Sequence, residues 1–319
     1  MKELKTLQQA IIHFADEQNC LQFMVAMRWP DGVECPVCGR MDARFLENQR
    51  KWQCKSVHHH RQFSVKVGTI FEDSPIPLSK WLPAAWLLIN CKNGVSSYEI
   101  ARDLKVTQKS AWFMLHRLRL ALQNGSLVKL GGNGQEVEVD ETFIGGLSRN
   151  MHKSRRLEAI HGTGAKGKVA VMGLLQRGGE IRTTVVPHVR RHVLQGEVRK
   201  HVEAGTPLYS DALASYRGLA VDYQHQVIDH AQAYVDGKIH TKRLENFWSL
   251  LKRGLKGTYV SVEPFHLFRY VDEQAWRYNN RKLANDGERF TEAMGNVMGK
   301  RLTYAQLTGK TQVLETSAD

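Results

Sequence analysis

The order of predicted elements after residue 131 predicts an α/β domain whose mixed sheet is flanked by helices. Two observations carry this prediction. Three strands are predicted in succession, at 136–140, 168–175 and 181–186, and helices then alternate with strands. The alternation consists of helix 190–203, strand 207–210, helix 212–218, strand 226–228 and helix 241–253. Three strands followed by helix, strand, helix, strand and helix is the order of a ribonuclease H-like fold.

Local patterns justify these elements in turn. Glycines at 131, 132 and 134 form a natural linker before the first strand, which alternates apolar and acidic residues. Arg177-Gly178-Gly179 predicts a hairpin between the second and third strands. In a ribonuclease H-like fold the first and fourth strands lie side by side. Asp140 and Asp211, at the ends of these strands, are therefore expected to meet at the centre of the sheet, where the last helix brings Glu245.

These three acids, Asp140, Asp211 and Glu245, are the candidate catalytic residues. Mg²⁺ prefers carboxylate oxygens and keeps its remaining positions for water and phosphate. Two such ions about 3.5–4 Å apart hold the attacking and leaving oxygens of a phosphoryl transfer. The three acids thus predict an active site that takes two Mg²⁺ or Mn²⁺ ions, whereas each acid by itself would read as a solvated surface charge. Glu141 is expected to point away from this site, in a solvent or hydrogen-bonding role.

Composition indicates a basic protein with a real core. The chain has 319 residues, 42% of them hydrophobic, and a net charge of +13. A chain this basic usually meets a polyanion, most often nucleic acid, although some housekeeping proteins are merely basic. We expect no membrane span, because no apolar run reaches about 18 residues. The opening segment, 1–5, does not resemble a signal peptide, so we expect a cytoplasmic, bacterial nucleoid-associated protein.

The cysteines predict a zinc site rather than disulfides. Their number is odd and they are sparse. Cys35 and Cys38 are separated by two residues, which lets both thiolates bind one ion from a tight turn, and Cys54 follows at the spacing of a second half-site. The fourth ligand is expected to be His58, with His59 as the alternative. One structural Zn²⁺ would then hold a small ribbon whose short strands flank Cys54.

A helical segment follows the ribbon. Periodicity predicts helices at about 79–90, 97–104 and 108–123. Ser96 and Glu99 form a capping box, and Thr107 caps the third helix. The last two helices resemble a helix-turn-helix, which would place Gln108 and Lys109 where base edges are reached. An ordinary helical hairpin is the alternative.

The predicted organisation has five parts. They are an N-terminal helical segment at 1–29, a zinc ribbon at 30–70, a helix-turn-helix-like domain at 71–130, a ribonuclease H-like catalytic domain at 131–260 and a C-terminal helical extension at 261–319.

Several motifs along nearly the whole chain point to one family. They are Cys35-Pro36-Val37-Cys38, Arg61-Gln62-Phe63-Ser64-Val65, Gly68-Thr69-Ile70-Phe71, Val139-Asp140-Glu141-Thr142-Phe143-Ile144-Gly145-Gly146, Tyr209-Ser210-Asp211 and the run from Glu245 to Arg253. With them the chain resembles zinc-ribbon insertion-sequence transposases of the ISXO type, a DDE family. The resemblance implies metal-dependent cutting and joining of DNA at the ends of a mobile element.

The third catalytic position has two candidates. In this family it varies and can be asparagine, so Asn246 competes with Glu245. We favour Glu245 because Lys252 lies two helical turns along the same face, where a cation would hold DNA near the metals.

The expected partner is double-stranded DNA, both the terminal inverted repeats and the target, bound by a homodimer or a larger assembly. Basic residues at two further places are expected to contact it: Lys153, Arg155 and Arg156 between the first two strands, and Lys252 and Arg253 on the last helix. The alternatives are a nuclease or resolvase of the same fold that does not join strands, and a domesticated DNA-binding regulator.

Overall fold

The computed structural model describes residues 4–123, 125–145, 167–228 and 241–309. The α-helices within these ranges are α1 (Leu7–Phe14), α2 (Glu17–Arg28), α3 (Leu78–Asn90), α4 (Ser97–Leu104), α5 (Gln108–Ala121), α6 (Arg191–His201), α7 (Lys242–Gly254), α8 (Leu267–Asn279), α9 (Asp286–Gly295) and α10 (Tyr304–Leu307). The strands are β1 (Arg44–Leu46), β2 (Lys51–Gln53), β3 (Gln62–Phe63), β4 (Val137–Ile144), β5 (Val169–Gln176), β6 (Ile181–Val186), β7 (Pro207–Asp211) and β8 (Gln224–Ile228). None of the described helices is long and apolar enough to cross a membrane.

The chain divides into two compact units. The first contains residues 1–123 and 282–319, and the second contains residues 124–281. The predicted C-terminal extension is therefore shared, because α8 belongs to the second unit and α9 and α10 belong to the first.

The first unit carries the ribbon and a helical core. β1, β2 and β3 form an antiparallel sheet, and the indole of Trp52 packs between Trp29 and Phe63 on it. α4 begins with the predicted capping box of Ser96 and Glu99, which satisfies two backbone amides of its first turn.

The turn between α4 and α5 also follows the sequence. Lys105 takes a left-handed conformation with φ of 49°, which reverses the chain, and the Thr107 side chain accepts a hydrogen bond from the Ser110 amide at the start of α5. α5 ends at Ala121, two residues before the predicted end. α4 and α5 thus pack as two helices joined by a tight turn, an arrangement that both the predicted helix-turn-helix and its alternative, an ordinary helical hairpin, require.

The second unit contains a five-stranded mixed sheet in the order β6-β5-β4-β7-β8. β5 pairs antiparallel with β4 and with β6, whereas β7 pairs parallel with β4 and with β8. The predicted pairing of the first and fourth strands is confirmed, with Glu138 opposite Tyr209. This mixed sheet, with helices on both faces, is the expected ribonuclease H-like architecture.

Each face of the sheet is covered by its own apolar cluster. Val137 and Val139 point from β4 towards Leu194 and Val198 of α6. On the opposite face, Val171 of β5 packs with Leu244 of α7. Because side chains alternate along a strand, Glu138 and Asp140 face α7. Groups of α7 therefore contact both carboxylates.

One predicted helix is absent from the described second unit. Residues 212–218 do not form an α-helix: they contain one short 3₁₀ turn at Ala214–Tyr216, and a second follows at Leu219–Val221. The Gln195 side-chain amide donates hydrogen bonds to the carbonyls of Ser215 and Arg217, each at 2.9 Å, and so holds this segment in its non-helical form, in which Arg217 is extended with ψ of 131°. Gly218, with φ of 96°, then redirects the chain.

Candidate active site and metal centre

Asp140 does not end its strand as predicted: β4 continues to Ile144, so Asp140 lies near the middle of β4, on the face that meets α7. The indole Nε1 of Trp248 donates a hydrogen bond to its Oδ2 at 3.0 Å. Trp248 comes this close only because Gly173 is the β5 residue paired with Asp140: a Cβ there would lie 2.7 Å from the Trp248 ring. The carboxylate of Asp140 is thus held in one orientation by a buried ring.

Asp211 is the last residue of β7. It follows Tyr209 by two positions, as Asp140 follows Glu138, so the two aspartates lie on the same face of paired strands. Its Oδ1 accepts a hydrogen bond from the Leu213 amide at 3.1 Å, which shapes the turn that leaves the strand.

Burial and like charges act together on these acids. Burial raises the pKa of Asp140 to about 7, and the negative charges of Glu141 and Asp211 add to the shift, while the hydrogen bond from Trp248 opposes it. Burial also raises the pKa of Glu141, again with a contribution from Asp211. Accumulated negative charge of this kind is relieved by a bound cation.

Glu141 faces the other side of β4. Its Oε2 accepts a hydrogen bond at 2.6 Å from the hydroxyl of Tyr216, which is completely buried. The hydrogen-bonding role expected of Glu141 is therefore present. The same residue nevertheless lines the cleft beside Asp140, so it contributes charge to the site.

Glu245 lies in the first turn of α7 on its exposed side, and the Thr241 hydroxyl donates a hydrogen bond to its Oε1 at 3.2 Å. Together with Asp140 it lines a cleft of about 590 Å³. Basic side chains of the same helix and of the turn after it close this cleft; they are Lys252, Arg253 and Lys256.

The predicted acids are not equally placed in this cleft. Asp140 and Glu245 line it; Asp211 acts on Asp140 through its charge but is not among the lining residues, and neither is Asn246. Across the described residues, three or more potential metal ligands come within 4.8 Å of one another only in the cysteine–histidine cluster. The three carboxylates therefore stand further apart than the ligands of a closed metal site.

A buried ion-pair network lies beside the acids, and sequence reasoning missed it. Glu138, with 0% of its side chain exposed, accepts a hydrogen bond from Arg177 Nε at 2.8 Å and another from the Leu244 amide at 3.3 Å. Arg177 stacks 4.2 Å from the ring centroid of Tyr209 and also pairs with Glu136 at 2.7 Å.

This network connects the three elements that carry the acids. Glu138 precedes Asp140 on β4, Tyr209 precedes Asp211 on β7, and Leu244 precedes Glu245 on α7. The carboxylate of Glu138 replaces the missing side-chain cap of α7, because no side chain at its N-cap residue makes such a bond. In the sequence, only the alternation of Glu136, Glu138 and Asp140 pointed to this network. The partner, Arg177, is distant in sequence, in the turn between β5 and β6.

We expect Glu138→Ala to loosen α7. The change removes the cap of the helix and the buried pair with Arg177, so the opening free energy of α7 should fall by about 3 kcal/mol, the lower end for breaking a buried pair. Native-state hydrogen exchange of the α7 amides measures this. Asp222→Ala, which breaks the half-exposed pair with Arg199, is the matched control and should cost about 0–1 kcal/mol. Equal losses in both variants would contradict the scaffold role of Glu138.

The second candidate site is the cluster of Cys35, Cys38, Cys54 and His58. Their ligand atoms all lie within 4.8 Å of one another. Cys35 Sγ lies 3.5 Å from His58 Nε2, and Cys38 Sγ lies 3.5 Å from Cys54 Sγ. Three thiolates and one imidazole are the donors of a closed structural zinc site.

Local backbone geometry forms both halves of this cluster. The Gly39 amide donates to the Cys35 carbonyl at 2.9 Å, which closes the first turn. His58 Nδ1 lies 2.6 Å from the His59 carbonyl, and a second contact of this kind fixes the ring of a metal-bound histidine. The two histidines are thus distinguished, because the ring of His58 reaches the cluster and His59 contributes its carbonyl.

The residues predicted to contact DNA fall into three groups. Lys252 and Arg253 line the cleft that also holds Asp140 and Glu245, here called the acidic cleft. Gln108 donates from its side-chain amide to Ser97 Oγ at 2.8 Å, and Lys109 Nζ lies 4.7 Å from the ring centroid of Tyr304. Lys153, Arg155 and Arg156 lie outside the described residues.

The fold and the two sites define a zinc-ribbon protein with a ribonuclease H-like domain. The family model described as an ISXO2-like transposase domain matches residues 129–279, and one described as a transposase zinc-ribbon domain matches residues 15–60. An uncharacterized protein in transposable element ISH50 of Halobacterium salinarum is 25% identical over 255 residues, which cover 76% of this chain and 84% of that protein. This chain belongs to the zinc-ribbon transposases of the IS1595 type, and the resemblance seen in its motifs is confirmed.

Proposed function

We propose that the protein binds the terminal inverted repeats of its insertion sequence and uses divalent metal ions to cleave DNA and transfer strands. One observation carries the proposal most directly: Asp140 and Glu245, from two different elements, line one cleft with Lys252 and Arg253. Carboxylates attract metal ions and the basic side chains attract phosphates, so one cleft offers both parts of a phosphoryl-transfer site.

The donor set fits a divalent cation. Asp140, Asp211 and Glu245 offer only hard carboxylate oxygens, and the raised pKa of Asp140 reflects its burial first and then the nearby negative charge, which a cation would balance. These three residues would hold Mg²⁺ or Mn²⁺, two ions in a complete site. Such ions, when bound, activate an attacking oxygen and stabilise the leaving oxygen of the phosphodiester.

The chain's own side chains prepare this chemistry. Trp248 orients the carboxylate of Asp140 through its N–H group. Glu138 holds the first turn of α7, which carries Glu245, against β4. Lys252 and Arg253 bind backbone phosphates and so align the DNA in the cleft without reading its sequence.

The first unit supplies the remaining parts of the proposal. A zinc ion held by Cys35, Cys38, Cys54 and His58 stabilises the ribbon. The α4–α5 hairpin contacts the terminal repeats through the start of α5, where Gln108 and Lys109 lie. The protein acts on the nucleoid in the cytoplasm, as a homodimer or a larger assembly on DNA.

A strand-transfer assay with pre-cut element ends tests this function. The wild-type protein, with Mg²⁺ and a supercoiled target, should join the 3′ ends of the element to target DNA. Products that are cut but never joined would identify a nuclease or resolvase instead. Binding without either reaction would identify a regulator.

In this assay Glu245→Gln should be inactive with Mg²⁺, whereas Asn246→Ala should keep measurable activity. Neighbouring helical residues point about 100° apart, so both cannot serve one metal pair, and a charged carboxylate binds a hard cation better than a neutral amide does. The two variants are matched controls for each other, since both residues are exposed on α7. An active Glu245→Gln with an inactive Asn246→Ala would assign the third ligand to the asparagine.

A further inference from the structure

The segment after α7 is unusually strained. α7 continues into a π-helical turn, Leu255–Tyr259, and Val260 follows with φ of 59° and ψ of −56°. The Ser261 amide donates to the Tyr259 carbonyl at 2.6 Å, which makes Val260 the centre of a γ-turn of the rare, strained kind. A β-branched residue at positive φ is a genuine conformational outlier.

Neighbouring contacts hold this strained turn in place. The hydroxyl of Tyr259 donates to Glu273 Oε1 of α8 at 2.5 Å, and its ring packs edge-on against Tyr270 with 4.7 Å between centroids. Strain persists only where surrounding structure imposes it, and both π-turns and strained residues concentrate at functional sites. The side chain of Val260 is nevertheless 79% exposed, so the strain does not serve to bury it.

Val260 forms part of the wall of a pocket of about 620 Å³, here called the Val260 pocket. This volume lies within the range of about 300–1,000 Å³ typical of small-molecule sites. Much of its wall is apolar and comes from the end of β4 and from the strained segment; these residues are Phe143, Ile144, Leu255, Val260 and Val262.

Cations line the pocket beside these apolar walls. Lys168, Lys252 and Lys256 line it, and Lys252 and Lys256 also line the acidic cleft, so the pocket adjoins the cleft. Within the described ranges of the chain none of these three lysines forms an ion pair with a carboxylate. A ligand that passes from the cleft into the pocket meets phosphate-binding charge first and an apolar wall next.

We propose that the Val260 pocket binds an unstacked base of the DNA strand held in the acidic cleft. A nucleotide matches this combination, because its phosphate suits the shared lysines and the flat face of its base suits apolar and aromatic walls. Enzymes that carry out chemistry on a DNA base extract its nucleotide from the stack into a closely fitting pocket, so a protein can unstack a single base. The proposal rests on the proposed function, since the strand must first lie in the cleft.

The experiment uses the full-length protein and a duplex that carries one end of its element. 2-Aminopurine, which is dim when stacked and bright when unstacked, replaces one base at a time around the cleavage site. Fluorescence is recorded on binding, before Mg²⁺ is added, and cutting and joining of the same duplexes are recorded afterwards. The variants are Val260→Asp, which places a negative charge in the wall, and Val260→Gly, which removes the side chain.

Val260→Gly guards against a folding failure, because glycine adopts positive φ without strain. Val221→Asp is the matched control: Val221 is also an exposed valine of the second unit, at 87% exposure, and does not line the pocket. We expect one position to brighten several-fold with the wild type and with Val221→Asp. With both Val260 variants this signal should be lost and joining should slow about tenfold, the scale of one lost base contact.

Two results would overturn the inference alone. In the first, the wild type cuts and joins the DNA while no position brightens. In the second, the brightening is undiminished in both Val260 variants. A wild-type protein that binds the duplex but neither cuts nor joins it would overturn the proposed function, and this inference with it.

Discussion

Asp140→Asn or Asp211→Asn is expected to abolish DNA cleavage and strand transfer while leaving DNA binding nearly intact. Both changes replace a carboxylate that we propose as a metal ligand by a neutral amide of almost the same shape. Losing about 4 kcal/mol of the stabilisation that bound metals provide lowers a rate about 10³-fold. Binding should survive because, in the proposed function, its energy comes from basic residues such as Lys252 and Arg253, which line the cleft. Gel-shift and strand-transfer assays on the same preparations measure the two effects separately.

Folding of the Asp140→Asn variant is a necessary control. The asparagine oxygen can still accept the hydrogen bond from Trp248. Because burial raises the pKa of Asp140 on folding from its ordinary value of 3.8 to about 7, its charged form disfavours the folded state in full at pH 8, and this cost shrinks progressively as the pH falls from about 7 towards 3.8. In metal-free buffer at pH 8 the variant should therefore melt no lower than the wild type.

Asp222→Asn is the matched control for activity, since Asp222 is an aspartate of the same unit that pairs with Arg199 outside the cleft. It should cleave and join DNA at the wild-type rate. Strand transfer at full rate by Asp140→Asn or Asp211→Asn would refute the catalytic assignment of that residue.

Cys54→Ser should release zinc and unfold the ribbon. Metal and fold are coupled in a structure this small, and the apparent binding energy of a structural zinc, about 10–16 kcal/mol in zinc-finger peptides, then acts as folding energy. The indole of Trp52, packed between Trp29 and Phe63, reports the loss of the ribbon by fluorescence. Metal analysis should find one zinc per chain in the wild type and none held tightly by the variant.

Two controls sharpen the zinc assignment. Cys91→Ser changes a cysteine that lies outside the cluster, at the end of α3, and should retain zinc. His58→Ala should weaken zinc binding far more than His59→Ala, because only the ring of His58 faces Cys35. A wild-type protein purified without chelators and free of zinc would show that the cluster has another role.

Much of the second unit could be predicted from local sequence. The strand order around Asp140 and Asp211 followed from counting elements, because ribonuclease H-like sheets pair their first and fourth strands. Helix α7 was predictable from its apolar stripe, which packs on β5, while Glu245 and Lys252 share the face beside this stripe. The two-residue separation of Cys35 and Cys38, with Cys54 at the spacing of a second half-site, placed these three cysteines in one cluster. Such features depend on periodicity and on short spacings between residues, and both can be read directly from the sequence.

Other features needed the tertiary structure. The short helix predicted after Asp211 is wrong, because Gln195 of α6 binds the carbonyls of Ser215 and Arg217. Propensity within seven residues carries no information about a partner from another element. The choice between His58 and His59 likewise depended on where one turn points a ring.

The sequence by itself determined the class of this protein: the element order, the three candidate acids on β4, β7 and α7, and the three clustered cysteines. Only the tertiary structure decided what surrounds those acids. Glu138 is read in the sequence as one more charge, yet it lies buried between Arg177 and the amide of Leu244. The reason is physical: backbone pattern arises from contacts between near neighbours, whereas the orientation and charge of a site arise from groups that only folding brings within hydrogen-bond distance.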